Sequence, residues 1–173
     1  MPFRPLLYLS VGLALLTGTA AARPEPGDVF REYVWKGPWV NAANWQRVTD
    51  PGARHKGAKQ FLPNPVNRIT IDDLDAAVRV EVCLEQWGGH AGTSRKRMRV
   101  NGGPWIAVPE SPRIGPNRPE AYQYFRYPSV AVPLDRVKEG ENTFAFTCGG
   151  QIAHDFGWGQ WGVYGVTFRV YYD

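Results

Sequence analysis

The sequence predicts an all-β fold, a two-sheet β-sandwich of jelly-roll type with about eight strands. Three observations carry this. Segments that alternate apolar and polar residues recur along the chain, which is the period of a strand with one face on a core. No long segment keeps a 3.6-residue period. Nineteen Gly and 15 Pro among 173 residues cut the chain into pieces suited to short strands and turns.

The elements follow in order. Residues 29–35 place Val29, Arg31, Tyr33 and Trp35 on one side. Residues 67–72 put Ile69 and Ile71 together, and 77–86 turn Val78, Val80, Val82 and Leu84 inward. Residues 95–101 set Met98 and Val100 opposite Arg97 and Arg99. Residues 104–109 set Ile106 and Val108 opposite Trp105. Asn101-Gly102-Gly103 between these two is a hairpin turn, because Asn and Gly tolerate positive φ. Residues 129–134, 142–148 (with Phe144 and Phe146) and 162–172 complete the set, the last with Tyr164, Val166, Phe168, Val170 and Tyr172 on one face. Segments 36–66 and 110–128, rich in Pro, Gly, Asn and Arg, read as long loops. No repeat and no second domain is visible, so 23–173 reads as one domain.

Residues 1–22 read as an export signal. Arg4 supplies the positive start, Leu6 to Leu16 the apolar core, and Ala20-Ala21-Ala22 the cleavage site. The apolar run is shorter than the roughly 20 residues that span a bilayer, so no membrane span is expected. The expected location is secreted or periplasmic. The net charge of +4 is mild and the positives are scattered, apart from Arg95-Lys96-Arg97 with Arg99. That group reads first as a charged strand face, and no nucleic-acid partner is expected. Cys83 and Cys148 invite a disulfide in an exported protein. However, Cys83 alternates onto a polar face and Cys148 onto an apolar one. Both states therefore stay open.

The order of several segments carries a resemblance. Val80 to Gly92 is a strand ending in an aromatic-Gly loop. Another strand enters Val100-Asn101-Gly102. Then come Val132-Pro133-Leu134-Asp135 and, after a spacer, Gly140-Glu141-Asn142. Tyr164 to Val170 closes the pattern. This resembles the galactose-binding-domain-like β-sandwiches over the last 100 residues or so, a superfamily holding many carbohydrate-binding modules. The resemblance implies a binding module rather than a catalyst. No cofactor is expected. The structural calcium common in that superfamily has no corresponding motif here, and no metal ligands are assigned.

Two loops hold the candidate ligand-binding residues. His154-Asp155-Phe156-Gly157-Trp158-Gly159-Gln160-Trp161-Gly162 sets indoles beside hydrogen-bonding side chains between glycines. Flat indoles suit the apolar face of a sugar, and His154, Asp155 and Gln160 suit its hydroxyls. Trp87-Gly88-Gly89-His90 repeats the chemistry. Trp87 alternates with Cys83 and Glu85 away from the core. Trp105 alternates beside Arg97 and Arg99, where a cation–π contact competes with a ligand role. Glu81 and Glu85 are expected to face Arg97 and Arg99 as cross-strand ion pairs.

The expected function is non-catalytic binding of a poly- or oligosaccharide. One alternative is a polysaccharide lyase or glycoside hydrolase on a jelly-roll scaffold. Another is a structural or protein-interaction module of the envelope, with association to a larger enzyme or envelope protein as a further expectation. No spacing selects a carboxylate pair for glycoside cleavage. Gly-x-Ser-x-Gly is absent, and no glycine loop for nucleotide phosphates precedes a helix. No catalytic residue is assigned.

Overall fold

The computed structural model describes residues 24–40, 43–90, 92–110, 125–151 and 157–173. His154, Asp155 and the 1–22 signal lie outside them. Twelve strands run in chain order among the described residues. They are β1 (Val29–Lys36), β2 (Trp39–Val40), β3 (Ala43–Asn44), β4 (Gln46–Thr49), β5 (Val66–Ile71), β6 (Ala77–Trp87), β7 (Arg97–Val100), β8 (Ile106–Ala107), β9 (Phe125–Arg126), β10 (Ser129–Val132), β11 (Gly140–Thr147) and β12 (Gln160–Tyr172). A one-turn helix, Lys56–Lys59, follows β4. All eight segments expected to be strands are strands. The additional four, β2, β3, β4 and β9, fall in the two segments read as loops.

The strands form an all-β sandwich. A six-stranded sheet runs β1-β12-β6-β10, with β4 also on β12 and β9 on β6. A four-stranded sheet runs β5-β11-β7-β8. Every pairing is antiparallel. The core lies between the sheets. Val80, Val82, Leu84, Val166, Phe168 and Val170 enter it from one side, and Ile69, Ile71, Met98, Val100, Phe144 and Phe146 from the other. Their alternation with polar neighbours is what fixes the register, since a one-residue slip would bury the wrong face. Val78 departs from the pattern and is exposed, beside a register shift where Tyr171 and Tyr172 oppose Arg79 and Ala77.

The Gly-x-Asn step now has a physical reason. Gly140 adopts φ +86°, and Asn142 is fully buried beside it. Its Oδ1 accepts from Lys138 N and Asn101 Nδ2, at 2.9 and 2.8 Å. Its Nδ2 donates to the Lys138 and Gly140 carbonyls at 2.6 and 3.0 Å. One side chain thus clamps two turns. Asn142→Ala strands these buried backbone groups, and a loss of about 2–3 kcal/mol in chemical denaturation is expected.

One expectation about side chains is corrected, and the state of the cysteines, left open by the sequence, is fixed. Glu81 and Glu85 do not meet Arg97 and Arg99, because β6 and β7 belong to different sheets. Glu85 pairs with Lys36 at 3.0 Å. Glu81 is buried, accepting from Tyr171 Oη at 2.5 Å and Arg169 Nη1 at 3.3 Å. The two cysteines are free thiols. Cys83 faces away from the core, 3.4 Å from Ser129 Oγ, whereas Cys148 lies in the core. Burial pushes the Cys148 thiol up to about 12, which suppresses its thiolate chemistry.

Candidate functional site

The outer face of the four-stranded sheet carries a concave site. On β7, Met98 and Val100 point inward, so Arg97 and Arg99 point out. On β11, Phe144 and Phe146 are inward, which leaves Thr143, Ala145 and Thr147 outside. Register aligns Val66, Ala145 and Arg99 in one row and sets Thr147 opposite Arg97. The small Ala145 keeps the floor of this row low.

Two walls rise from that floor. The Asn101-Gly102 turn, with φ +48° and +70°, reverses the chain and carries Trp105 back over the arginines. The Arg99 guanidinium lies 4.6 Å from the Trp105 ring centre and that of Arg97 5.8 Å. The pairing of 95–100 with 104–109 and the arginine–indole contact therefore stand as the sequence predicts. The opposite wall is Pro51, Leu62, Pro63 and Asn64, with a cis Leu62–Pro63 bond. Asn64 pins this wall to β4: Thr49 N donates to its Oδ1 at 2.8 Å, and its Nδ2 donates to Thr49 O at 2.7 Å.

Between the walls lies a trough of about 530 Å³, within the roughly 300–1,000 Å³ typical of small-molecule sites. A recess of about 190 Å³ extends it past Arg99 toward Gly102 and Thr143. Asn64, Arg99 and Thr147 bring hydrogen-bonding groups to a mainly apolar lining. No carboxylate or imidazole stands among the described lining residues.

The Trp158–Trp161 loop is built differently from the sequence expectation. Trp161 is 0% exposed and Trp158 8%, so neither presents a face to a sugar. The glycines let the loop lie down on its neighbours instead of lifting the indoles. A Cβ at Gly159 would stand 2.1 Å from the Gly149 carbonyl oxygen. Trp158 packs with Ala53, Ala58 and Phe61 under the helical turn, and the His55 ring stacks over it at 6.5 Å.

Gln160 and His90, also expected to bind ligand, are occupied by one another. Arg47 Nη1 donates to Gln160 Oε1 at 2.6 Å. The amide nitrogen of Gln160 is then a donor, and it faces His90 Nε2 at 2.7 Å. His90 Nε2 must accept, so its proton sits on Nδ1, which donates to the Trp158 carbonyl at 3.0 Å. This chain of bonds requires a neutral imidazole. Burial, and secondarily the Arg47 cation, hold the His90 pKa below its ordinary value, against the pull of the Trp158 carbonyl. The unfolded chain therefore takes up the proton first as pH falls. The stability from this site is complete above the ordinary histidine range near 6.5 and declines as pH drops below it. The melting temperature should fall between about pH 7 and pH 5, and His90→Gln should flatten that part of the profile.

Trp87 is half-buried on the outer face of the six-stranded sheet, where alternation places it. It meets Trp45 edge-to-face at 6.2 Å, and Trp45 stacks with Tyr164 at 6.4 Å. Gly162 lies beneath, where a Cβ would come within 2.9 Å of Trp45. Trp87 thus stands with Trp45, away from the trough. Of the candidate residues, Trp105 alone among those described lines the trough. Asn64, Arg99 and Thr147 are new to the site. Arg99 had a signal in its alternation with Met98 and Val100; Asn64, inside a segment read as loop, had none.

No protein-family model matches the sequence, and no curated protein matches it either. Solved structures similar to it include the glycoside hydrolase BuGH86wt in complex with neoagarooctaose, at 15% identity and a TM-score of 0.51. Another is BpGH86A, a β-porphyranase of glycoside hydrolase family 86 from the human gut bacterium Bacteroides plebeius, at 11% identity and a TM-score of 0.49. Each match covers 84% of this chain, but only 19% and 21% of those chains. The chain thus spans about a fifth of their length. The likeness to BuGH86wt shows the sandwich fold. No helix among the described residues is long and apolar enough to cross a membrane.

Proposed function

We propose that the protein is an exported, non-catalytic carbohydrate-binding module that holds a poly- or oligosaccharide in the trough beside Trp105. The observation that carries this is the trough itself. An indole edges a concave surface on a rigid sheet, with Asn64, Arg99 and Thr147 at hydrogen-bonding positions around an apolar floor. That pairing of a flat apolar ring with convergent polar groups matches the two-faced chemistry of a sugar.

Three further points support the reading. The described lining is mainly apolar with a few convergent polar groups, as a surface that holds a sugar needs. The fold matches part of a much longer protein whose structure contains neoagarooctaose. The resemblance to galactose-binding-like sandwiches leads in the same direction, and the apolar run near Arg4 provides the export route. Association with a larger enzyme or an envelope protein belongs to the same proposal. Phe30, Val34 and Trp39 are exposed apolar side chains outside the trough lining.

Affinity electrophoresis against a panel of polysaccharides tests this. Wild type is expected to be retarded by at least one polymer. Trp105→Ala should weaken that binding about tenfold, since aromatic stacking contributes about 0.5–1.5 kcal/mol beyond area burial. Trp87→Ala should leave it unchanged. Equal retardation of wild type and Trp105→Ala would remove the trough from the account.

A further inference from the structure

We infer that the trough selects anionic glycans, with Arg97 and Arg99 receiving a sulfate or carboxylate group of the sugar beside Trp105. This rests on the trough being the sugar site.

Several arginines among the described residues are held in ion pairs. Arg169 pairs with Glu32 and Glu81, Arg79 with Asp28, Arg31 with Asp73, and Arg68 with Glu141. Lys96, next to Arg97, is paired with Glu110. Arg97 and Arg99 have no ion-pair partner among the described residues. Both stand on one face of β7 and both reach the same indole.

Three features make the pair a receptor rather than a solvated charge. The cation–π contact of Arg99 with Trp105, at 4.6 Å, uses none of the guanidinium N–H donors, so the fork is held in place without being used up. Arg97 Nε is buried and has no hydrogen-bond partner among the described residues. Such a donor lacks the compensation that buried polar groups usually find, and an anionic oxygen brought to it would supply it. Finally, the described trough lining holds Arg99 and no acidic side chain to cancel its positive charge. Sulfate and carboxylate share the chemistry that matters here: a pair of anionic oxygens that a guanidinium fork can bind together.

The test is calorimetric titration at low and high salt with a sulfated galactan, a polyuronate and neutral agarose. Wild type should bind at least one anionic polymer tenfold or more tighter than agarose, and added salt should erode that advantage. Arg99→Gln should lower the anionic affinity by roughly 10- to 100-fold, as for loss of hydrogen bonds to a charged group. Binding to agarose should weaken far less, so the ratio of anionic to neutral affinity falls. Arg99→Lys, which keeps charge but not the fork, should recover only part. Should Arg99→Gln fail to fold, Arg97→Gln reads the same contact. Arg31→Gln on the other sheet should change nothing. The two anionic arms identify which group is received. Equal, salt-independent binding to agarose and the anionic polymers overturns the inference and leaves the module reading intact. An equal loss in Arg31→Gln also overturns it, since overall charge would then be responsible. Binding to none of the three overturns both.

Discussion

Replacing Trp161 with alanine is expected to lower the unfolding free energy by about 3–5 kcal/mol, the range for deleting a large buried aromatic. Trp161 is fully buried on β12. It sits beside Val48 of β4 in the same sheet and meets Phe146 of the opposite sheet edge-to-face at 5.5 Å. One side chain therefore ties both layers of the sandwich together, and alanine leaves a cavity that neither rigid sheet can close. Guanidinium denaturation followed by circular dichroism measures the loss. Trp161→Phe, which keeps part of the contact, should fall between. A cost below about 1 kcal/mol for the alanine variant would mean the indole is not a core residue.

The second large effect is expected at Gly89. Its φ is +79°, and a Cβ there would lie 1.7 Å from the Gln160 carbonyl oxygen. That oxygen already accepts from His90 N and from Thr93 Oγ1, each at 2.9 Å. Gly89→Ala must push the loop off β12. Overpacking costs about 1–3 kcal/mol and positive φ at a non-glycine residue about as much again, so the total reaches up to about 6 kcal/mol. Gly102→Ala is the matched control. It has φ +70° and nothing within 4 Å of the added Cβ, so only the conformational cost, about 1–3 kcal/mol, remains. Thermal melting of the pair separates the clash from the dihedral. Equal losses would place Gly89 out of contact with Gln160.

These two positions also show what could be seen in the sequence. Alternation along β7, β10, β11 and β6 from Val80 onward identified the core, because those stretches are regular, whereas Val78 at the start of β6 is exposed beside a register shift. Alternation failed along β12, where Val163 opposes Gln86 and Gly165 opposes Glu85. Tyr164 is the extra residue of a bulge. Alternation carried back from Val166 and Phe168 turns Trp161 outward, and the bulge reverses it. Nothing local in Gly-Val-Tyr-Gly announces that reversal. The glycines of the Trp158 loop misled for a related reason. They permit close approach as readily as exposure, and only the position of Gly149 opposite Gly159 and of Trp45 opposite Gly162 decides which. Trp105 was legible because a short hairpin fixes its neighbours within a few residues. The far wall of its trough was not, since Leu62 and Asn64 reach Trp105 through tertiary packing alone.

The central claim is that Trp105, and not the buried indoles, is offered to ligand. Indole Nε1–H signals in a nitrogen-15-labelled sample report it directly during titration with a bound oligosaccharide. The Trp105 signal should move in a saturable way, while those of Trp158 and Trp161 stay in place. A saturable shift at Trp158 or Trp161 with Trp105 unmoved would contradict the account.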